Sequence, residues 1–147
     1  MKDRTNISSG AIWEDEVGYS RAVKIGRVVE VSGTSAIDRD KIIAPNDPYQ
    51  QTKFIIRKIE RAINEAGGSL EDVIRTRIYV TNIDDWSAIG KAHGEFFRKI
   101  KSNILIMLFS STSPSRRVPA STAVFGPAIS KSLLTFIRVW SLCTVMS

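Results

Sequence analysis

The chain has 147 residues, 43% of them hydrophobic and 24% charged, which is enough apolar material for one core and argues against global disorder. Its net charge of +6 invites a nucleic-acid reading, yet residues 1–100 hold 16 basic and 15 acidic residues, a balance of +1, so a nucleic-acid partner is not expected. A single cysteine (Cys143), a charged start (Lys2, Asp3, Arg4) and no apolar run longer than the six residues Ile104–Phe109 predict a cytoplasmic protein with no internal disulfide, signal peptide or membrane span.

Residues 1–16 read as an irregular lead-in anchored by Trp13. Tyr19–Ile25 and Val28–Ser32 read as two strands around a tight Gly26-Arg27 turn, the second rich in valine. Gly33 breaks the pattern, and Asp38–Lys41 is turn-like. The first helix is well marked. Asp47 is the N-cap, Pro48 takes the first helical position, and Gln50 completes a capping-box spacing. Ile55, Ile56, Ile59, Ile63 and Ala66 form one apolar face, and Gly67-Gly68 ends the helix. Ser69 with Asp72 predicts a further helical turn.

Val73–Thr81 reads as a strand in which Ile74, Thr76, Ile78 and Val80 alternate with Arg75, Arg77 and Tyr79. Asp84 is a cap for the next helix, whose apolar face runs through Trp86, Ile89, His93, Phe96, Phe97 and Ile100. Beyond it, Ile104–Phe109 reads as a buried strand, Ser110–Ser115 as a linker, and Val118–Phe125 and Leu133–Leu142 as two more strands. The order β-β-α-β-α-β-β predicts a single α+β domain over 1–147, with two helices packed on one face of a mixed sheet.

The tail departs from the rest in composition. Residues 101–147 contain no acid, where about six would be ordinary, and ten serines.

Three stretches resemble the RidA/YjgF family, also called the reactive intermediate deaminase or endoribonuclease L-PSP family. They are Val31–Asp38 (VSGTSAID), Ile63–Trp86 (INEAGGSLEDVIRTRIYVTNIDDW) and His93–Phe97 (HGEFF), with Val17–Val23 similar to the family's first strand. The resemblance covers about residues 11–100. It implies a chorismate-mutase-like α+β fold, a homotrimer with ligand clefts between subunits, and no cofactor. It also implies hydrolysis of enamine or imine intermediates to 2-oxo acids and ammonia.

By resemblance, Tyr19 lines the cleft, and Ser32 and Gly33 bring backbone groups to the ligand. Packing at an interface (Tyr19) and strand termination (Gly33) are the competing readings. The family's carboxylate-binding arginine falls in a Pro-Ala-Arg-x-x-Val strand, and the nearest match, Pro119–Val124, has Ser121 there. Serine cannot form the two-pronged ion pair that arginine gives a carboxylate. Arg116 or Arg117 is a nearby substitute, or a solvated loop residue. The family's last strand carries an apolar-Glu-apolar-Glu pattern. Here Phe136 and Arg138 hold the glutamate positions, so the water-positioning carboxylate is missing and Arg138 favours anion binding. Gly90 replaces a polar residue on the second helix.

The candidate ligand residues are therefore Tyr19, Ser32, Gly33, Ser121 and Arg138. The ligand class is 2-imino or 2-oxo acids, and no catalytic residue is assigned. Residues 101–118 are a divergent segment or an insertion, and a change of reading frame after residue 100 is a third explanation of the tail.

Two other functions compete with deamination. One is a non-catalytic trimeric binder of small anionic metabolites. The other, RNA cleavage, finds no acid/base pair or aromatic-basic surface. His93, the only histidine, excludes a multi-histidine metal site within one subunit and reads best as a packed side chain. Cys143 has no obvious base to make it a nucleophile.

Overall fold

The computed structural model describes residues 3–108 and 139–146. A six-stranded sheet runs in the order β1 (Arg4–Ile7), β2 (Ala22–Ile25), β3 (Val28–Ser35), β8 (Val139–Met146), β6 (Val73–Val80), β7 (Asn103–Leu108). All neighbours are antiparallel except β6 and β7, so the sheet is mixed as expected. Helices α2 (Pro48–Glu65) and α3 (Trp86–Phe97) pack on it and on each other.

Alternation decides which face the helices take. Val29 and Val31 of β3, Thr76, Ile78 and Val80 of β6, and Val145 of β8 are all buried. They meet Ile55, Ile56, Ile59 and Ile63 of α2 and Ile89 and Phe97 of α3 in one core. Each fully buried isoleucine contributes roughly 1.5–3 kcal/mol by leaving water.

The ends of α2 are fixed as the sequence predicts. The Asp47 carboxylate accepts the Gln50 N–H at 3.0 Å, and Pro48 opens the helix. At the other end Gly67 takes φ 79°, and Gly67 and Gly68 donate to the Asn64 and Ile63 carbonyls. Lys24 Nζ donates to the Ala66 carbonyl at 2.8 Å, tying the end of the helix to β2. Ser69 and Asp72 form a full capping box on a short 3-10 turn. Tyr49 and Lys53 of α2 both engage the Glu95 carboxylate of α3, Lys53 at 2.9 Å. The Tyr49 hydroxyl, then Lys53, hold that carboxyl below the usual range.

Several expectations are corrected. The lead-in is ordered: β1 pairs with β2, and α1 (Trp13–Val17) follows it. Strand β2 begins at Ala22 rather than Tyr19, whereas β3 runs through Gly33 to Ser35 because a bulge between Val31 and Thr34 absorbs the irregularity. The turn-like Asp38–Lys41 is as expected, and it closes a small hairpin of β4 (Ile37–Asp38) with β5 (Lys41–Ile42).

A second bulge, between Val73 and Arg75, turns Val73 inward and leaves Ile74 48% exposed. The residue that receives a cap before α3 is Asp84 itself: its N–H donates to Asn82 Oδ1. Trp86 is 62% exposed because it sits at the first position of α3, outside the packed stripe.

Strand β7 exists where predicted, but Leu105 and Met107 are exposed on the face opposite the helices, and Ile104 and Leu108 are exposed on the last strand of the described sheet. Within the described residues, the predicted Leu133–Leu142 strand overlaps β8 only from Val139, and β8 continues to Met146. The predicted Val118–Phe125 strand and the 110–115 linker lie outside the described residues.

Candidate functional site

Strands β2 and β3 are joined by the Gly26-Arg27 turn, so the residues before β2 come to lie beside the far end of β3. That geometry brings three predicted site residues to one corner. Ser32 Oγ donates to the Ser20 carbonyl at 2.6 Å, and Ser32 N–H donates to the Arg21 carbonyl at 2.9 Å. Tyr19 is next to Ser20 in the chain, and its own N–H donates to the Glu14 carbonyl. Tyr19, Ser32 and Gly33 are all half-buried.

The bulge at this corner is held from two sides. Arg21 Nη1 donates to the Gly33 carbonyl and the Thr34 hydroxyl, both at 3.2 Å. The Thr34 hydroxyl, fully buried, donates to the Ser32 carbonyl at 3.0 Å. Behind Arg21, the buried Glu14 carboxylate accepts hydrogen bonds from the Ser8 hydroxyl and from the Ser9 hydroxyl and N–H. Burial raises the Glu14 carboxyl, but the Ser8 and Ser9 hydrogen bonds and the Arg21 charge together hold it below the usual carboxylate range.

A second cation faces the same region. Lys58 of α2 donates to the Ile37 carbonyl at 2.7 Å. Burial lowers its pKa first, the Arg21 charge lowers it further, and Asp38 opposes them. The corner is thus rich in donors and positive charge, and Glu14 is engaged with its serines.

Arg21, Glu14 and Thr34 were not found from the sequence. A charged residue at the start of an edge-side strand reads as solvated, and no local pattern announces that Glu14 folds back on Ser8 and Ser9. The other candidates, Ser121 and Arg138, and the replaced position Phe136, lie outside the described residues. So do Arg116 and Arg117.

Gly90 lies within α3, and among the described residues no atom lies within 4 Å of where its Cβ would sit. An open groove of about 740 Å³ between α2 and α3 is lined by Glu60, Asn64, Leu70, Phe96 and Arg98 and contains none of the corner residues. His93 is buried, with Nε2 3.0 Å from Thr76 Oγ1 and its ring centroid 4.5 Å from that of Phe97. This is the packed, hydrogen-bonded side chain the sequence suggests.

Comparison with known proteins agrees with this architecture. The sequence model of the family described as Endoribonuclease L-PSP matches residues 12–136. An uncharacterised Streptomyces coelicolor protein is 36% identical over 110 residues, covering 75% of this chain and 82% of that protein. A RutC family protein of Pyrococcus abyssi is 33% identical over 84 residues, covering 56% of this chain and 66% of that one. The crystal structure of Mycobacterium tuberculosis Rv2704, described as a member of the YjgF/YER057c/UK114 family, superposes with a TM-score of 0.75 at 32% identity, over 99% of this chain and all of that one. The fold and the matched span place this chain in the RidA/YjgF family, the family of the Endoribonuclease L-PSP model.

Proposed function

We propose that this protein binds small 2-imino and 2-oxo acids at the Tyr19–Ser32–Gly33 corner and hydrolyses the imines slowly. The observation that carries the reading is the Ser32–Gly33 bulge, braced by Arg21 and flanked by the cations Arg21 and Lys58. In the reaction, water oxygen bonds to the imine carbon, the C–N bond breaks, and nitrogen leaves as ammonia, giving the 2-oxo acid. The positive charge of the corner assists by holding the carboxylate in place as water adds. The carboxylate that would position that water has no counterpart at Phe136, and the chain holds no acid after Glu95, so binding outweighs turnover.

A homotrimer is part of this proposal. Among the described residues no element covers the sheet face opposite the helices, which carries the exposed apolar side chains Ile25, Val28, Leu105, Met107 and Met146. Among the described residues no helix is long and apolar enough to cross a membrane. A cytoplasmic location remains the proposal from composition.

The test is to generate 2-aminoacrylate in situ and follow ammonia and pyruvate release. The expected result is a rate above the buffer control, together with saturable binding of pyruvate. A rate equal to the control with pyruvate still bound establishes the second reading, a non-catalytic binder. That reading is favoured by the absence of any acidic residue from 101 to 147.

A further inference from the structure

The corner that presents Ser32 and Gly33 is a bulge, and bulges need something to hold them. A regular ladder fixes each residue by its neighbours across the sheet. Between Val31 and Thr34 the register with β8 shifts, so the intervening residues lose that support. Ser32 keeps its bonds to the Ser20 and Arg21 carbonyls, and three side-chain-mediated bonds add to them: Arg21 Nη1 to the Gly33 carbonyl, Arg21 Nη1 to the Thr34 hydroxyl, and that hydroxyl to the Ser32 carbonyl. One guanidinium nitrogen thereby reaches residues 32, 33 and 34.

The arrangement is not the cheapest way to pack this strand end. Arg21 Nε is buried with no acceptor among the described residues. A buried donor left without an acceptor is a local inconsistency, and such inconsistencies gather at functional sites. The cation is also backed. The Glu14 carboxylate, kept ionised by Ser8 and Ser9, lies close enough for its charge and that of Arg21 to interact.

We propose that Arg21 is a positioning residue for the ligand corner: its guanidinium fixes the Ser32–Gly33 bulge in the conformation that receives the carboxylate of a 2-oxo or 2-imino acid. The proposal rests on the reading of the corner as the ligand site. Arg21 acts through the backbone it holds and need not touch the ligand. A lysine at this position keeps the charge and one contact but loses the planar fork. A methionine keeps the stem and loses every donor.

The test compares wild type with Arg21→Met and Arg21→Lys, by amide hydrogen exchange in the free protein and by pyruvate binding. In Arg21→Met, exchange at Ser32 rises by about tenfold or more, while exchange at Val29, on the same strand outside the bulge, stays at the wild-type rate. Pyruvate affinity falls by about tenfold or more in the same variant, and Arg21→Lys recovers part of both changes. Unchanged exchange at Ser32 overturns the proposal. So does an equal rise at Ser32 and Val29, which marks general destabilisation. Wild-type binding that Arg21→Met leaves intact also overturns it. A wild type that binds no pyruvate removes the ligand reading of the corner, and exchange at Ser32 then decides by itself whether Arg21 holds the bulge.

Discussion

His93 Nε2 lies 3.0 Å from the Thr76 hydroxyl, and this buried pair joins α3 to β6. Burial pushes the imidazole down to about 4, so the folded protein prefers it neutral. The unfolded chain has the ordinary value near 6.5 and binds more protons between the two. Stability is therefore fully present above about pH 6.5 and is lost as pH falls toward 4. At pH 4.5 the loss from this residue is roughly 2–3 kcal/mol. Urea unfolding of wild type and His93→Gln at pH 7.5 and 4.5 checks it: the wild type loses more stability on acidification than the variant. An NMR titration that gives His93 an ordinary value near 6.5 would contradict the prediction.

The end of α2 offers a second test. Lys24→Met removes the donor to the Ala66 carbonyl and costs about 1 kcal/mol. Gly67→Ala places a side chain at φ 79° and costs about 1 kcal/mol for a different reason, backbone strain. An added Cβ there would sit 3.5 Å from Lys24 Nζ, an ordinary contact, so a steric clash is not the cause. Thermal denaturation should show both losses.

The exposed apolar side chains on the sheet face opposite the helices predict assembly. Light scattering should give about three times the 16.4 kDa chain mass. Leu105 and Met107 share that face with Arg77 and Tyr79 of the neighbouring strand. Leu105→Lys with Met107→Lys should leave the helical content unchanged and shift the mass to one chain, because burying unpaired charge in an interface is unfavourable. A monomeric wild type would remove the trimer from the proposed function.

The acid-free tail can be tested without a structure. If a reading-frame change after codon 100 produced it, another frame of the gene carries a Pro-Ala-x-x-x-Val pattern followed by an apolar-Glu-apolar-Glu pattern. Resequencing the gene and translating all frames decides this, and the lack of both patterns refutes it.

Legibility varied with the range of the forces involved. Helix α2 was readable to the residue at its start, since Asp47, Pro48 and the isoleucine stripe are local signals. The inward positions Ile78 and Val80 followed from alternation, whereas Ile74 did not, because a bulge is set by pairing with a distant strand. Trp86 was assigned to the core by its spacing and proved exposed, since spacing does not say how far along α3 the packed stripe extends. In the candidate site, Ser32 and Gly33 were named on resemblance. Arg21, Glu14 and Thr34 became visible only when the corner was assembled.

By itself the sequence determined the family signature, the caps of α2 and the two-helix mixed-sheet plan. All of these depend on residue identity and near-neighbour spacing. The tertiary structure alone decided that β7 runs parallel to β6 at an exposed edge, that β8 inserts between β3 and β6, and that Arg21 holds the bulge. Those outcomes depend on which distant segments bury their apolar faces together, and on the polar groups that must then find partners.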